Sequence, residues 1–183
     1  MYRKCVAIVI YDSINKLCLV GERSDKKGAW QFPQGGVDEG ESFIEAAKRE
    51  LFEEFGIKAQ ENYQRRFNYD LSKIDVSINC VADINQAEIN FKQNYCENFD
   101  YGCVEFKEVA GPFRYDYPEN IKRKEKGQEQ MWFLAKTTKP IVSVKLNYEF
   151  ASAQWFPVSK IVDEIVDFKK EVYIKALSCL GLM

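Results

Sequence analysis

The segment from Gly35 to Ile57 constrains the fold more than any other part of the chain. It reads GGVDEGESFIEAAKRELFEEFGI. Ser42, followed three residues later by Glu45, forms a capping-box pattern, which predicts that a helix begins there. Gly56 is well placed to end this helix, because glycine readily adopts the left-handed conformation of a helix C-cap. The segment therefore predicts a glycine-flanked helix.

Three glutamates fall on the apolar arc of this predicted helix. At about 100° per residue, the arc contains Phe43, Ala46 and Ala47. The acids on the same arc are Glu50, Glu53 and Glu54. Carboxylates on a half-buried helix face repel one another and lose hydration, so a structural helix places them on the opposite face. Oxygen ligands suit a hard divalent cation, and the pattern predicts a site for Mg²⁺, with Mn²⁺ as a possible substitute.

The absence of histidine restricts the chemistry of the chain. It excludes Ser-His-Asp and Cys-His catalysis, histidine zinc sites and a histidine nucleophile. Carboxylates, lysines, tyrosines and a metal-bound water remain as groups that can move a proton. This restriction agrees with a carboxylate metal site.

Length and composition predict a single folded domain. The chain has 183 residues, of which 46% are hydrophobic and 14% aromatic. The net charge of −2 gives no overall attraction to nucleic acid or membrane, so a polyanion has to bind through local basic patches. The six cysteines are scattered, as in a reducing compartment, and no apolar run approaches the ~18 residues of a membrane span. We therefore expect a cytoplasmic protein without membrane association.

The segment 35–57 resembles the Nudix box, G-x5-E-x7-R-E-U-x-E-E-x-G-U with U aliphatic, at every specified position. The resemblance implies an α/β fold, the Nudix α/β/α sandwich with a mixed sheet. It implies hydrolysis of a nucleoside diphosphate linked to another moiety. It also implies that Glu50, Glu53 and Glu54 ligate the metal, that Glu50 and Glu53 are catalytic, and that loss of Glu53 is the most harmful. Glu41 and Arg49 would orient the helix and its loop.

The flanking segments resemble one branch of that family, the bacterial RNA 5′-pyrophosphohydrolases and the plant-type asymmetric dinucleoside tetraphosphate hydrolases. The segments are WQFPQGG (30–36), FRYDYP (113–118), GQEQMWF (127–133), EF followed by QWF (149–156) and FKKEVY (168–173). This branch carries a carboxylate outside the box, at the position of Glu149, as a further metal ligand or general base. Without the resemblance, Glu149 would be an ordinary loop acid.

The same resemblance implies a set of substrate-binding residues. Gly35 and Gly36 would let the backbone approach a diphosphate. Phe168 would stack on a base, with Val166 packing beside it. The residues expected to contact phosphates or the 5′ nucleotide are Arg3, Arg23, Tyr115 and Lys169. The expected substrates are 5′-triphosphorylated RNA or a dinucleoside polyphosphate.

The remaining pattern predicts strands that alternate with helices, as expected of one α/β domain over residues 1–183. Strands are predicted at 5–11, 17–20, 130–136, 141–146 and 154–158, and helices at 159–166 and 168–180. Residues 58–103 have no counterpart in the branch and are predicted to be an insertion, with one strand at 74–82.

Three functions remain open at this stage. The first is a Mg²⁺-dependent pyrophosphohydrolase that removes pyrophosphate from 5′-triphosphorylated RNA, and the second is an asymmetric dinucleoside tetraphosphate hydrolase that yields ATP and AMP. The third is a nucleotide-binding module without turnover, which has no need of three inward glutamates. The lead-in WQFPQGG and the segment FKKEVY argue against a hydrolase of free nucleotides or nucleotide sugars.

Overall fold

A mixed β-sheet of eight strands forms the centre of the chain, which the structure, a computed structural model, describes over residues 1–65, 103–137, 141 and 144–183. The strands are β1 (Tyr2–Asp12), β2 (Leu17–Arg23), β3 (Trp30–Gln31), β4 (Gln34–Gly36), β5 (Lys58–Arg65), β6 (Cys103–Asp116), β7 (Gly127–Thr137) and β8 (Phe150–Pro157). The helices are α1 (Phe43–Phe55), α2 (Val158–Glu164) and α3 (Asp167–Cys179).

Strand β1 organises the sheet. The strand order is β3-β2-β1-β7-β6-β5, while β4 pairs with β1 and β8 pairs with β2. β1 runs antiparallel to β2 and parallel to β7, from Tyr2 opposite Gly127 to Tyr11 opposite Lys136. Its residues from Cys5 to Tyr11 are all buried, which explains the continuous apolar run CVAIVIY.

The two faces of the sheet are covered by different helices. Val6, Ile8 and Ile10 of β1 pack in one cluster with residues of α1. The alternate residues Ala7 and Val9 pack in a second cluster with residues of α2 and α3. Because successive side chains of a strand point to opposite faces, β1 supplies both cores. The predicted α/β/α sandwich with a mixed sheet is confirmed.

Helix α1 begins and ends as its sequence predicts. The N–H of Ser42 donates to Glu45 Oε2 over 2.9 Å, and the Ser42 side chain accepts from the N–H of Glu45, which completes the capping box. Gly56 is the C-cap with φ of 68°, in the left-handed region. No helix in the described ranges is long and apolar enough to cross a membrane.

The predicted strand at 141–146 is wrong for the residues that the structure describes, 141 and 144–146, which are not part of a strand. The N–H of Lys145 donates to Phe55 O over 3.0 Å, and the N–H of Asn147 donates to Glu54 O over 3.3 Å. These donors satisfy the last carbonyls of α1 instead of a strand partner. The other predicted strands and helices outside the insertion are confirmed, with bounds that differ by up to four residues.

The predicted insertion lies only partly within the described residues. Residues 58–65 form β5, which pairs in parallel with β6, from Lys58 opposite Cys103 to Arg65 opposite Val109. The segment expected to have no family counterpart therefore begins and ends in paired strands. The predicted strand at 74–82 lies outside the described residues, and the insertion stays a prediction.

Substitution of Ser42 by alanine is expected to lower the free energy of unfolding by about 1 kcal/mol, because it removes the N-cap of α1. Urea denaturation followed by circular dichroism measures the change. The matched control is Ser178→Ala at an exposed position of α3, which is expected to change stability by only a few tenths of a kcal/mol. Equal effects of the two substitutions would contradict the capping role.

Candidate active site

A cleft of about 500 Å³ opens beside β4 and the N-terminal end of α3. All predicted substrate-binding residues line it, and so do two of the predicted acids, Glu50 and Glu149. The substrate-binding residues are Arg3, Arg23, Gly35, Gly36, Tyr115, Phe168 and Lys169. The structure thus brings together side chains that are as much as 166 positions apart in the numbering, Arg3 and Lys169.

Two glutamates of α1 lie against β4. The Glu50 carboxyl group packs on Gly35, where the Cβ of any other residue would overlap it. Glu54 is 1% exposed, and its Oε2 accepts a hydrogen bond of 2.9 Å from the N–H of Gln34. Its Oε1 is buried without a hydrogen-bond partner among the described residues. The requirement for glycine at position 35 therefore comes from the close approach of a carboxylate.

Burial of these two acids disfavours their charged forms. Desolvation raises the pKa of Glu54 to about 9, and the neighbouring charges of Glu149 and Glu50 add to this shift. Desolvation also raises the pKa of Glu50, while Arg49 opposes it. A divalent cation would neutralise this cluster and satisfy the unpaired Glu54 oxygen, so the residues present fit Mg²⁺ or Mn²⁺.

Arg49 links helix α1 to strand β4 through hydrogen bonds. Its guanidinium donates to both carboxylate oxygens of Glu41 over 2.9 and 2.8 Å and to Gly36 O over 2.8 Å. It also donates to Glu50 Oε1 over 2.7 Å and to Glu53 Oε2 over 3.3 Å. This bidentate pair and its further contacts fix α1 relative to β4, which is the orienting role expected of Glu41 and Arg49.

The expectation that Glu53 faces inward with the other acids is wrong. Its side chain is 54% exposed and contacts Arg49. The buried positions of α1 include Leu51, Glu54 and Phe55, so the buried arc is rotated away from Glu53. Among the residues described, no three acidic or cysteine side chains are already grouped as metal ligands. The assignment of Glu53 as a metal ligand stays a prediction.

Glu149 reaches the cleft on a loop that hydrogen bonds hold in place. The N–H of Ser24 donates to Glu149 O over 2.9 Å, and the Ser24 hydroxyl donates to Tyr148 O over 2.6 Å. The N–H of Glu149 donates to Asn147 Oδ1 over 2.9 Å, and Asn147 in turn is bonded to the end of α1 at Glu54 O. The loop therefore brings Glu149 to the acids of the box.

Cations and aromatic rings line the same cleft as these acids. Lys169 is 5% exposed, and its Nζ lies 5.8 Å from the centre of the Tyr115 ring. Burial lowers the pKa of Lys169 to about 8, with the charge of Arg23 adding to the effect. The Phe168 and Tyr115 rings are 5.7 Å apart, and Arg23 is held by a bidentate ion pair with Asp25. These groups suit phosphate oxygens and a nucleobase.

A chain of hydrogen-bonded glutamine side chains, three of which line the cleft, was not predicted. Gln128 Oε1 accepts from the Tyr115 hydroxyl over 2.6 Å and from Gln130 Nε2 over 2.9 Å. Gln130 Nε2 also donates to Gln34 Oε1 over 3.1 Å, and Gln34 Nε2 donates to Gln31 Oε1 over 3.2 Å. The sequence signal was limited to the polar run of residues 128–130 at the start of β7, which does not show which partners these side chains contact. Through Gln34, this chain connects Tyr115 to the strand that binds Glu54.

Carboxylates and cations thus share one cleft of the α/β/α fold, and the comparisons with known proteins identify the class of enzyme, a pyrophosphohydrolase. The NUDIX domain model matches residues 1–78. Proteins named RNA pyrophosphohydrolase from Erythrobacter litoralis and Francisella tularensis subsp. mediasiatica are 32% and 30% identical to this chain. Their alignments cover 94% and 97% of this chain and 86% and 92% of the relatives. The chain belongs to the Nudix hydrolase family.

Solved structures with the same fold extend along nearly the whole chain. An Ap4A hydrolase from C. elegans superimposes with a TM-score of 0.56 and 18% identity, covering 99% of both chains. The E. coli dihydroneopterin triphosphate pyrophosphohydrolase gives a TM-score of 0.55 and 15% identity, covering 96% of this chain and 95% of the other. At these identities the comparisons support the fold.

Substitution of Lys169 by methionine is expected to raise the free energy of unfolding at pH 7 by about 1–3 kcal/mol, because a buried ammonium group is replaced by an apolar chain. The lowered pKa in the folded state means that the unfolded state binds the proton more tightly. The loss of stability caused by the Lys169 ammonium group is therefore complete below pH 8, and it disappears as the pH rises towards the ordinary pKa of lysine.

Urea denaturation of the wild type and the variant at pH 7 and pH 10 measures this difference. Lys170→Met is the matched control, because Lys170 lies next in sequence, is more exposed and forms an ion pair with Asp167. The control is expected to be neutral or slightly destabilising. A Lys169→Met gain that did not shrink between pH 7 and pH 10 would contradict the buried-charge explanation.

Proposed function

We propose that this Nudix hydrolase is a Mg²⁺-dependent pyrophosphohydrolase that removes pyrophosphate from 5′-triphosphorylated RNA, with Mn²⁺ as a possible substitute. The observation that carries the proposal is that Glu50 and Glu149 line the same cleft as Arg23 and Lys169. Relatives that are named RNA pyrophosphohydrolase and align over almost the whole chain support the same substrate class.

The acids and the cations at this site have different parts in the proposed reaction. Mg²⁺ held by Glu50, Glu53, Glu54 and Glu149 would neutralise phosphate charge and acidify a bound water. Arg3, Arg23 and Lys169 bind the oxygens of the triphosphate and hold it in line for attack. Gly35 and Gly36 leave room for the Glu50 carboxylate and the Arg3 guanidinium.

Other residues of the cleft accept the proton of the attacking water and bind the base of the 5′ nucleotide. Glu149, which lines the cleft, accepts the proton of the attacking water at its carboxylate. The oxygen of this water bonds to the phosphorus next to the RNA, and the bond from that phosphorus to the oxygen that bridges to the middle phosphate breaks. The outer two phosphates leave together as pyrophosphate, and the RNA keeps a 5′-monophosphate end. Phe168 and Tyr115 supply aromatic faces for the 5′ base, and Val166 packs beside them.

A second candidate substrate is a dinucleoside tetraphosphate, cleaved asymmetrically into ATP and AMP. Tyr148 favours it, because this side chain is 86% exposed and lines the cleft next to Glu149. Together with Phe168 it offers an aromatic face for each of two bases. The same carboxylates and cations would act on either substrate.

A substrate panel with Mg²⁺ tests the proposal. Triphosphorylated RNA is expected to release pyrophosphate with a higher kcat/KM than that for conversion of diadenosine tetraphosphate to ATP and AMP. Chromatography of labelled products separates the two activities. A higher kcat/KM for the dinucleotide would support the second candidate, and turnover of neither would contradict both.

Glu53→Gln and Glu54→Gln are each expected to lower kcat by about 100-fold or more, because charge stabilisation by the metal is worth several kcal/mol. Glu39→Gln, an exposed acid of the same box that does not line the cleft, is the matched control and is expected to retain activity. Nucleotide binding that survives Glu53→Gln, together with a wild type that hydrolyses nothing, would instead indicate a binding module.

A further inference from the structure

The loop of residues 118–126, between β6 and β7, continues the lining of the cleft. Ile121 and Arg123 of this loop line the cleft, and the Arg123 guanidinium lies 5.5 Å from the centre of the Tyr117 ring. The loop is closed by two backbone hydrogen bonds of 2.9 Å, from Tyr117 N–H to Lys126 O and from Ile121 N–H to Pro118 O. Its position next to the site is thus fixed by its own backbone.

The tip of this loop carries three consecutive exposed cations. Lys122, Arg123 and Lys124 have no carboxylate partner within the part of the chain that the structure describes. Two other cations near the loop do have carboxylate partners. Lys126 forms an ion pair with Asp116 at 2.8 Å, and Arg114 forms one with Glu129 at 2.5 Å. The three adjacent charges at the tip therefore remain available to a ligand.

The size of the cleft leaves most of an RNA chain outside it. A cavity of about 500 Å³ is in the range that encloses one small ligand, so it takes a 5′ nucleotide and its phosphates. The following phosphates must lie on the protein surface. Since the net charge of the chain is −2, they gain attraction only from a local cluster of cations.

We propose that the 118–126 loop is a binding surface for the backbone of single-stranded RNA, which takes the phosphates downstream of the 5′ nucleotide. This inference rests on the proposed function. Arg123 bridges the cleft and the loop tip, while Lys122 and Lys124 contact the phosphates beyond it as mobile point charges. Such contacts are independent of base sequence and release counterions from the RNA.

The proposal is tested with Lys122→Ser/Lys124→Ser, which removes two cations that do not line the cleft. The substrates are a triphosphorylated dinucleotide and a triphosphorylated unstructured decamer. The double variant is expected to raise KM for the decamer severalfold more than KM for the dinucleotide. The loss of two phosphate contacts also makes binding of the decamer less sensitive to salt, because fewer counterions are released. The factor by which the decamer KM rises between 50 and 200 mM salt is expected to be about sevenfold smaller than in the wild type.

The matched control is Lys160→Ser/Lys175→Ser, which removes the same charge from α2 and α3, away from the cleft lining. It is expected to keep the wild-type ratio of decamer to dinucleotide KM. An unchanged ratio in Lys122→Ser/Lys124→Ser, with both RNAs still hydrolysed, would overturn the loop assignment and leave the proposed function standing. A wild type that hydrolyses neither RNA would overturn the proposed function itself. Equal ratio changes in the two double variants would show a nonspecific charge effect and would also overturn the loop assignment.

Discussion

The burial of carboxylates between α1 and β4 is the constraint on which the rest of the site depends. Glu54 is almost fully buried, with one oxygen that has no hydrogen-bond partner in the described part of the chain, and Glu50 packs against the glycine backbone of β4. Such groups are costly without a cation, because burial removes their hydration and each repels the others. The metal ion of the proposed function would offset this cost.

The neighbouring structure holds these acids in place. Arg49 joins Glu41, Glu50 and the Gly36 carbonyl, which fixes the helix relative to the strand. On the other side, Ser24 and Asn147 fix the loop that carries Glu149. Glu50 of the box and Glu149 of this loop thus line the same cleft.

Local sequence signals predicted those features that local interactions decide. The capping box at Ser42, the C-cap at Gly56 and the strand at 5–11 follow from short-range rules, and the structure has all of them. The family resemblance predicted most of the functional residues that line the cleft. It could do so because the box and its flanking segments occur in this chain in the same order as in the family.

Tertiary contacts decided the features that were missed. The segment 141–146 has the alternation of a strand, but its backbone donors satisfy the last carbonyls of α1. Glu53 lies at the edge of the buried arc, where Arg49 attracts its carboxylate, so helix periodicity alone overestimated its burial. The glutamine chain joins four residues of three strands, and no local pattern identifies which of these side chains pair.

The central claim is that the buried carboxylates form a binding site for a divalent cation. Calorimetric titration of the metal-free protein with Mn²⁺ tests this claim most directly, with Glu54→Gln and the exposed-site control Glu39→Gln measured in parallel. The account predicts saturable binding by the wild type and the control, weakened about tenfold or more in Glu54→Gln. No binding by the wild type, or equal affinity in all three proteins, would contradict it.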